Sequence, residues 1–356
     1  MQSELVIVGL SGGVDSSVAA LQLLEQGYRV EALFMFNWAE DESGYCTAAD
    51  DFQSARKVAD ALGIPLHQAD FSREYRDQVF REFLSELDAG RTPNPDLLCN
   101  RHIKFDAFLT HAQRLGASRI ATGHYARTDG ERLLRARDLN KDQSYFLALI
   151  QKAALKHCLF PLGELTKPEV RQHAEQSGLP TFDRPDSTGI CFIGERPFRD
   201  FIAEYLPPDS PASQPGDIVN IETAQTIGRH TGLGGYTLGQ RRGLGIGGQK
   251  DAADAPWYVV AKDLAARQLL VSQNPRHPAL LRQQIELRSP CWLRMPEPDT
   301  CLLVQYRHRQ KPVPATATCS PEGATIRFLQ PQAAVTPGQY AALYREDECL
   351  GAGIIC

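Results

Sequence analysis

The strongest constraint on this chain lies in its first few elements. Leu5–Val8 is a four-residue apolar run that passes directly into Gly9-Leu10-Ser11-Gly12-Gly13-Val14-Asp15-Ser16. Asp15–Gln26 follows as a helix pattern, with Val18, Leu21 and Leu24 three apart and Gly27 beyond its end. A short buried strand, a glycine turn and a helix open a parallel α/β unit. The pattern repeats: strands over Val30–Phe36, Ile64–Gln68 and Arg119–Thr122, helices over Phe52–Leu62 and Ser72–Leu87, and a further helix before Arg119. Such alternation specifies a parallel sheet with helices on both faces.

Beyond Arg119 the character changes. Asp129-Gly130, between Tyr125–Thr128 and Arg132–Ala136, signals a hairpin, and helical stretches follow over Gln143–Ile150 and Pro168–Ser177. Pro207-Pro208-Asp209-Ser210-Pro211 reads as a linker. After it come short strand patterns: Asp217–Ile221, Trp257–Ala261, Gln268–Val271, Ile285–Leu287, Cys301–Tyr306, Thr325–Phe328 and Tyr340–Tyr344. The fold expected is a Rossmann-like α/β domain over 1–206, a small β-rich central domain over 207–280 and a C-terminal β-barrel over 281–356.

The 356 residues suffice for two or three cores. A net charge of -5 leaves no overall basic balance, so a nucleic-acid surface has to be a local patch. Met1-Gln2-Ser3-Glu4 lacks the basic start of a secretory signal, and no apolar run approaches the ~20 residues of a spanning helix. Nine cysteines, an odd number, then fit free thiols in a reducing, cytoplasmic setting.

The glycine turn is the first candidate site. Glycines allow close approach and positive φ, and amides at a helix start favour phosphate. No Gly-Lys-Ser/Thr and no G-x-G-x-x-G is present. Ser11, Ser16 and Ser17 add hydroxyls, and Asp15 offers a carboxylate for a metal ion on the phosphates. A plain glycine turn capped by Ser11 is the alternative. In Asn94-Pro95-Asp96-Leu97-Leu98-Cys99, Asn94 suits an N-cap and Pro95 the first helical position. Asp96 and Cys99 then share a face, a carboxylate beside a thiol. Dipole complementation by Asp96 and simple packing of Cys99 are the alternatives. Cys191, in Ser187-Thr188-Gly189-Ile190-Cys191-Phe192-Ile193-Gly194, has glycines on both sides. It reads either as a thiol on a movable segment or as a buried one. In Gln305–Lys311, strand period places Arg307, Arg309 and Lys311 on one face, a stripe for phosphates or a solvated face. Gln240-Arg241-Arg242 is a second basic site.

The loop Ser11–Ser16 resembles the PP-loop of ATP pyrophosphatases. With it, Asn94–Cys99, Ser187–Gly194, Ala121-Thr122-Gly123-His124-Tyr125, Asn140–Leu147 and Gly239–Gly245 resemble the motifs of the tRNA-specific 2-thiouridylases. The resemblance extends to Leu350-Gly351, with Ala352 where that family usually has a third glycine. It implies ATP with Mg2+, no permanent cofactor, and adenylation of the C2 oxygen of a wobble uridine. A persulfide on Cys191 would deliver sulfur, with Cys99 as the second thiol and a transient Cys99–Cys191 disulfide. Gly9, Leu10, Ser11, Gly12, Gly13, Val14, Asp15 and Ser16 would hold ATP. Met35, just after the second strand, would lie against adenine, and Gly123 would let ATP approach the fourth strand's end. Asp96 would contact or deprotonate the base, with Asn94 and Pro95 shaping its pocket. His124, Lys141, Asp142, Gln143, Tyr306, Arg307 and Gln339 would contact tRNA. The implied partners are the tRNAs for Lys, Glu and Gln and a persulfide donor, either a cysteine desulfurase or a sulfur carrier, with no membrane. Two other readings compete. An amidating PP-loop synthetase would dispense with both cysteines, and a non-catalytic RNA-binding protein would release no AMP.

Overall fold

The computed structural model describes residues 4–38, 48–185, 197–247, 255–298 and 300–356. In chain order the first strands are β1 (Leu5–Gly9), β2 (Arg29–Phe36), β3 (Leu66–Asp70), β4 (Arg119–Ala121), β5 (Ala126–Thr128), β6 (Leu133–Arg135) and β7 (Cys158–Leu159). Five of them form a parallel sheet in the order β3-β2-β1-β4-β7. Val6, Ile7 and Val8 of β1 are fully buried, as a parallel strand covered on both faces requires. Helix α1 (Val14–Glu25) covers one face, packing Val14, Val18 and Ala19 against Val170 and Ala174. Helix α2 (Ala48–Leu62) packs Ala55, Val58 and Ala59 on Ala32 and Phe34 of β2. Another core joins Ile7, Leu33 and Ile120 to Tyr75, Val79, Phe83 and Phe108. The helix expected over Ser72–Leu87 forms as Ser72–Tyr75, a π-helical turn over Arg76–Phe80, and Arg81–Asp88.

From β1 the chain runs outward through β2 to β3 and then returns to the other side of β1 as β4. The strand order therefore reverses between β1 and β4. Ligands of open α/β sheets bind at the carboxyl ends of the strands at such a reversal.

The central region carries β8 (Gly216–Asn220), β9 (Thr226–His230), β10 (Tyr258–Asp263) and β11 (Gln268–Ser272) in the order β10-β11-β8-β9. Its core is Ile218, Tyr236, Val259, Leu269 and Val271. The last region carries β12 (Leu281–Trp292), β13 (Cys301–Gln305), β14 (Val313–Cys319), β15 (Gly323–Ala333), β16 (Tyr340–Arg345) and β17 (Glu348–Ile355). Antiparallel pairing runs β12-β15-β14-β13-β16-β17 and returns from β17 to β12, which closes a six-stranded barrel. The expected fold class, an α/β domain followed by β-rich modules, is what the chain adopts. Strands β7, β9, β14 and β17 had no counterpart in the sequence reading.

The Asp129-Gly130 hairpin forms as β5–β6. It also does more than the local signal indicated. Leu133 and Leu134 of β6 pair with Cys349 and Glu348 of β17, so the hairpin extends the barrel's sheet.

Candidate active site

The glycine loop sits at the carboxyl end of β1, at the strand-order reversal. Gly13 is the N-cap of α1, and its carbonyl accepts the Ser17 amide at 3.2 Å and the hydroxyls of Ser16 at 3.1 Å and Ser17 at 2.8 Å. The Ser11 amide donates to Ser16 Oγ at 3.2 Å. Gly12 has φ +79°, a conformation that favours glycine. Its carbonyl accepts from Ser54 Oγ at 2.8 Å and from Arg184 Nη1 at 2.7 Å, and Arg184 also pairs with Asp51. Among the described residues, a Cβ on Gly13 would meet only Ser11 Oγ, at 3.6 Å, which leaves space beside the loop. Exposed Ser11, a helix N-terminus and that space fit a phosphate chain.

Gly123 lies just past β4 and presses on the loop: a Cβ there would sit 2.7 Å from the Ser16 amide nitrogen and 2.8 Å from the Asp15 carbonyl carbon. Met35 lies inside β2, and its Cε is 3.1 Å from the Cβ position of Gly9, where Phe108 also packs at 3.3 Å. Asp15 Oδ1 accepts from Tyr125 Oη at 2.8 Å and from Lys167 Nζ at 2.7 Å.

Asn94 caps the turn Pro95–Leu98 as expected, its Oδ1 accepting the Asp96 amide at 3.2 Å with Pro95 at the first position. Buried Cys99 begins a π-helical stretch, Cys99–Ala107, that directly continues the turn. Inserted π segments shift the register of side chains and are frequent at functional sites. Burial pushes the Asp96 carboxyl above its ordinary value, while the Lys104 ammonium pulls it down. Burial, with the same Lys104 charge, holds His124 well below the ordinary imidazole value, hence neutral. Thr122 Oγ1 lies 2.8 Å from His124 Nδ1, and the rings of Phe105 and Phe160 flank the imidazole. Asp96, Lys104 and His124 thus share one electrostatic neighbourhood. Lys104 was not singled out from the sequence, and neither was Asn100. The Asn100 Nδ2 donates to the Phe146 carbonyl at 3.0 Å, while its buried Oδ1 has no hydrogen-bond donor among the described residues.

Cys191 and the rest of Ser187–Gly194 lie outside the described residues. Among the other thiols, Cys158 and Cys349 are buried, and burial raises both, Cys349 to about 12. Thiols held protonated in this way are poor nucleophiles.

Several expected tRNA-contacting residues also carry structure. Gln143 brackets Tyr125: its Oε1 accepts the Tyr125 amide at 2.9 Å, and its own amide donates to the Tyr125 carbonyl at 2.8 Å. Asp142 accepts from the amides of Ala136 at 3.0 Å and Ser144 at 3.2 Å. Lys141 is half-buried, its amide donating to the Asp138 carbonyl. Tyr306 is 6% exposed in the barrel core, its ring against Phe328. Gln339 donates to the carbonyls of Thr92 and Pro93.

The strand face expected for Arg307, Arg309 and Lys311 does not form. Strand β13 ends at Gln305, and residues 307–310 turn, with Arg309 at φ +65°. That turn lays His308 on Phe146, ring centroids 4.4 Å apart. It also brings Arg307 Nη1 within 4.0 Å of the Cβ position of Gly239. The two basic segments, read separately in the sequence, are therefore neighbours.

Family comparison agrees along the whole length. Residues 4–195 match the tRNA methyl transferase HUP domain, 199–273 the tRNA methyl transferase PRC-barrel domain and 282–355 the aminomethyltransferase beta-barrel domain. The tRNA-specific 2-thiouridylase MnmA of Chromohalobacter salexigens is 52% identical over 98% of this chain and 92% of its own length. Its namesake from Pseudomonas aeruginosa strain LESB58 is 54% identical over 99% and 94%. Among solved structures, the U34-tRNA thiolase NcsA of Methanococcus maripaludis aligns over 53% of this chain and 62% of its own. Identity there is 18% and the TM-score 0.36, a likeness too loose to bear on function. With a glycine loop at the strand reversal, three matched domains in sequence and relatives above half identity end to end, this chain belongs to the tRNA-specific 2-thiouridylase family.

Proposed function

We propose that the protein is a tRNA-uridine 2-sulfurtransferase that converts the wobble uridine of tRNA to 2-thiouridine at the expense of ATP. One observation carries this: relatives named tRNA-specific 2-thiouridylase align over 98–99% of the chain. The glycine loop and the capped Asn94–Cys99 turn also lie on one α/β unit, with Phe108, at the end of the Cys99 helix, against Gly9.

In this reading the uridine C2 oxygen attacks the α-phosphorus of ATP and pyrophosphate leaves. Gly9–Ser16 holds the phosphates, Met35 and Gly123 border the nucleotide, and magnesium arriving with ATP neutralises phosphate charge. Sulfur then adds to C2 and AMP departs. The sulfur comes from a persulfide on Cys191, loaded by a cysteine desulfurase or a sulfur carrier. Either the Cys99 thiolate first attacks the Cys191 sulfur, releasing hydrosulfide, or the persulfide attacks C2 directly and Cys99 resolves it. Both routes end in a Cys99–Cys191 disulfide that a thiol reductant must reopen. Asp96, whose burial favours the protonated acid, exchanges a proton with the base in this reading. Asn94, Pro95, His124, Lys141, Asp142, Gln143, Tyr306, Arg307 and Gln339 form or support the tRNA-facing surface, with tRNAs for Lys, Glu and Gln as substrates. The reaction is shared among an α/β domain over 1–206, a central domain over 207–280 and a barrel domain over 281–356 in this reading.

The test is direct. Purified protein, an unmodified tRNA transcript, α-labelled ATP and a sulfide source should yield AMP and 2-thiouridine. AMP that appears with a small acid and ammonia but without tRNA would instead identify an amidating synthetase. Cys191→Ser should abolish sulfur transfer and leave AMP formation; full thiolation by that variant would overturn the persulfide role.

A further inference from the structure

The glycine loop has a charge deficit. No lysine or arginine occurs between Met1 and Tyr28, and the lysine that ends a Walker loop has no counterpart here. A helix N-terminus supplies only about half a positive charge, whereas a triphosphate brings several negative ones.

The fold delivers an ammonium from far along the chain. Lys167 is 8% exposed, and its Nζ lies 2.7 Å from Asp15 Oδ1 in the first turn of α1. Lysine is almost never this buried without a partner, and a buried ion pair adds little net stability. Yet the site is firmly built. The Lys167 amide donates to Asp138 Oδ2 at 3.0 Å, and the Thr166 amide and hydroxyl donate to Glu169 Oε2 at 2.6 and 2.9 Å. Val170 and Ala174 of the same helix pack on Val14 and Val18 of α1. Arg184, the other cation at the loop among the described residues, is already committed to the Gly12 carbonyl and Asp51. Its partner Asp15 has a side chain that is 33% exposed, so solvent and ligand can reach the pair. Tyr125 Oη donates to the same Asp15 oxygen at 2.8 Å and keeps that oxygen hydrogen-bonded if the ammonium leaves.

We propose that Lys167 is the polyphosphate-binding cation of the glycine loop, held on Asp15 in the nucleotide-free protein and turned to the phosphates when ATP binds. A lysine suits the exchange: it is a compact charge with three donors on a flexible stem. The inference rests on the ATP-binding reading above and deepens it.

Calorimetric titration of the full chain with ATP, pyrophosphate and AMP, in magnesium, tests it. Lys167→Met should weaken ATP and pyrophosphate by about tenfold or more, as expected for a lost charge-assisted hydrogen bond, with AMP changed by less than about twofold. Lys167→Arg should recover part of the loss. Because Lys167→Met strands a carboxylate, the Lys167→Met/Asp15→Asn double variant is the control for folding. Its melting temperature should return toward wild type while pyrophosphate binding stays weak. Wild-type pyrophosphate affinity in the double variant would overturn the role of Lys167 and leave the thiolase reading intact. Failure of the unaltered protein to bind ATP would overturn both.

Discussion

The Gln339 side-chain amide, in the loop before β16, donates to the carbonyls of Thr92 at 2.8 Å and Pro93 at 3.2 Å. The same barrel loop accepts the Thr92 amide on the Pro337 carbonyl at 2.9 Å, and Gly338, at φ +89°, closes on Thr92. The C-terminal barrel thereby grips the segment that ends in the Asn94 cap and leads to Asp96 and Cys99. Gln339→Ala removes two hydrogen bonds, a loss of about 1–2 kcal/mol. A clamp predicts a lower kcat for thiolation, with ATP and tRNA affinities retained. A direct tRNA contact predicts the opposite, a raised Kd for tRNA with kcat kept. Steady-state kinetics beside a tRNA binding isotherm separates the two.

Asn94 begins the turn that leads to Cys99, and its Oδ1 satisfies the Asp96 amide. Asn94→Ala should lower unfolding free energy by about 1 kcal/mol, and Asn94→Asp should retain most of it. Urea titration reads both. Equal stability of the alanine and wild-type proteins would remove the cap from the account.

Burial raises the Asp96 carboxyl above its ordinary value of 3.8. A folded-state value above the unfolded one means that the folded form holds its proton more tightly. The associated stability is complete below the unfolded value and is lost as pH rises through the folded one. Above that folded value the native protein bears a desolvated carboxylate. Asp96→Asn should melt higher than wild type at pH 7 to 8, and the difference should shrink as pH falls through the carboxylate range. A pH-independent difference would show that desolvation of the charged form is not the cause. Thiolation by the same variant should be strongly reduced at every pH.

Gly123 is pressed against backbone, not against a side chain that can rotate away. Gly123→Ala would place a carbon 2.7 Å from the Ser16 nitrogen, so the loop or the end of β4 has to move. The expected cost is about 1–3 kcal/mol in stability, with ATP binding weakened at least as strongly as AMP binding. Unchanged ATP affinity would mean that this close approach does not set the loop's geometry.

What the sequence made legible follows sequence distance. The strand, glycine turn and helix over residues 5–25 depend on neighbours, and so does the Asn94-Pro95 cap, and both formed where expected. The hairpin at Asp129-Gly130 was also local, but its pairing of Leu133 with Cys349 joins segments with no shared pattern. Lys167 gives no sign in the sequence that it belongs to Asp15, since Thr166-Lys167-Pro168 reads simply as a helix start. The π-helical register from Cys99 likewise has no local signature, because tertiary packing sets it. Arg307–Lys311 misled because alternating charges look like a strand edge, whereas the chain must turn there so that β14 can pair back on β13. Nothing in the spacing distinguishes those two outcomes.

The junction between the central region and the α/β domain has its own pH signature. Lys262, on β10, donates to the Gly90 carbonyl at 3.0 Å, just beyond the helix Arg81–Asp88, and Leu264 packs on the same glycine. Burial brings the Lys262 ammonium down from its ordinary 10.5 to about 8. Here the folded value is the lower one, so the folded form releases its proton more readily. The linked stability is complete above 10.5 and is lost as pH falls through about 8. Lys262→Met lacks that titration. Relative to the variant, the wild-type protein should gain about 1–2 kcal/mol between pH 8 and 10.5, after allowance for partial solvent screening. Urea unfolding of both proteins at several pH values across that window gives the difference directly. A difference that stays flat would mean that the ammonium remains charged at the junction, with the Gly90 carbonyl compensating its burial. The helix C-terminus favours a cation through its dipole, so the slope also measures how far that dipole offsets desolvation.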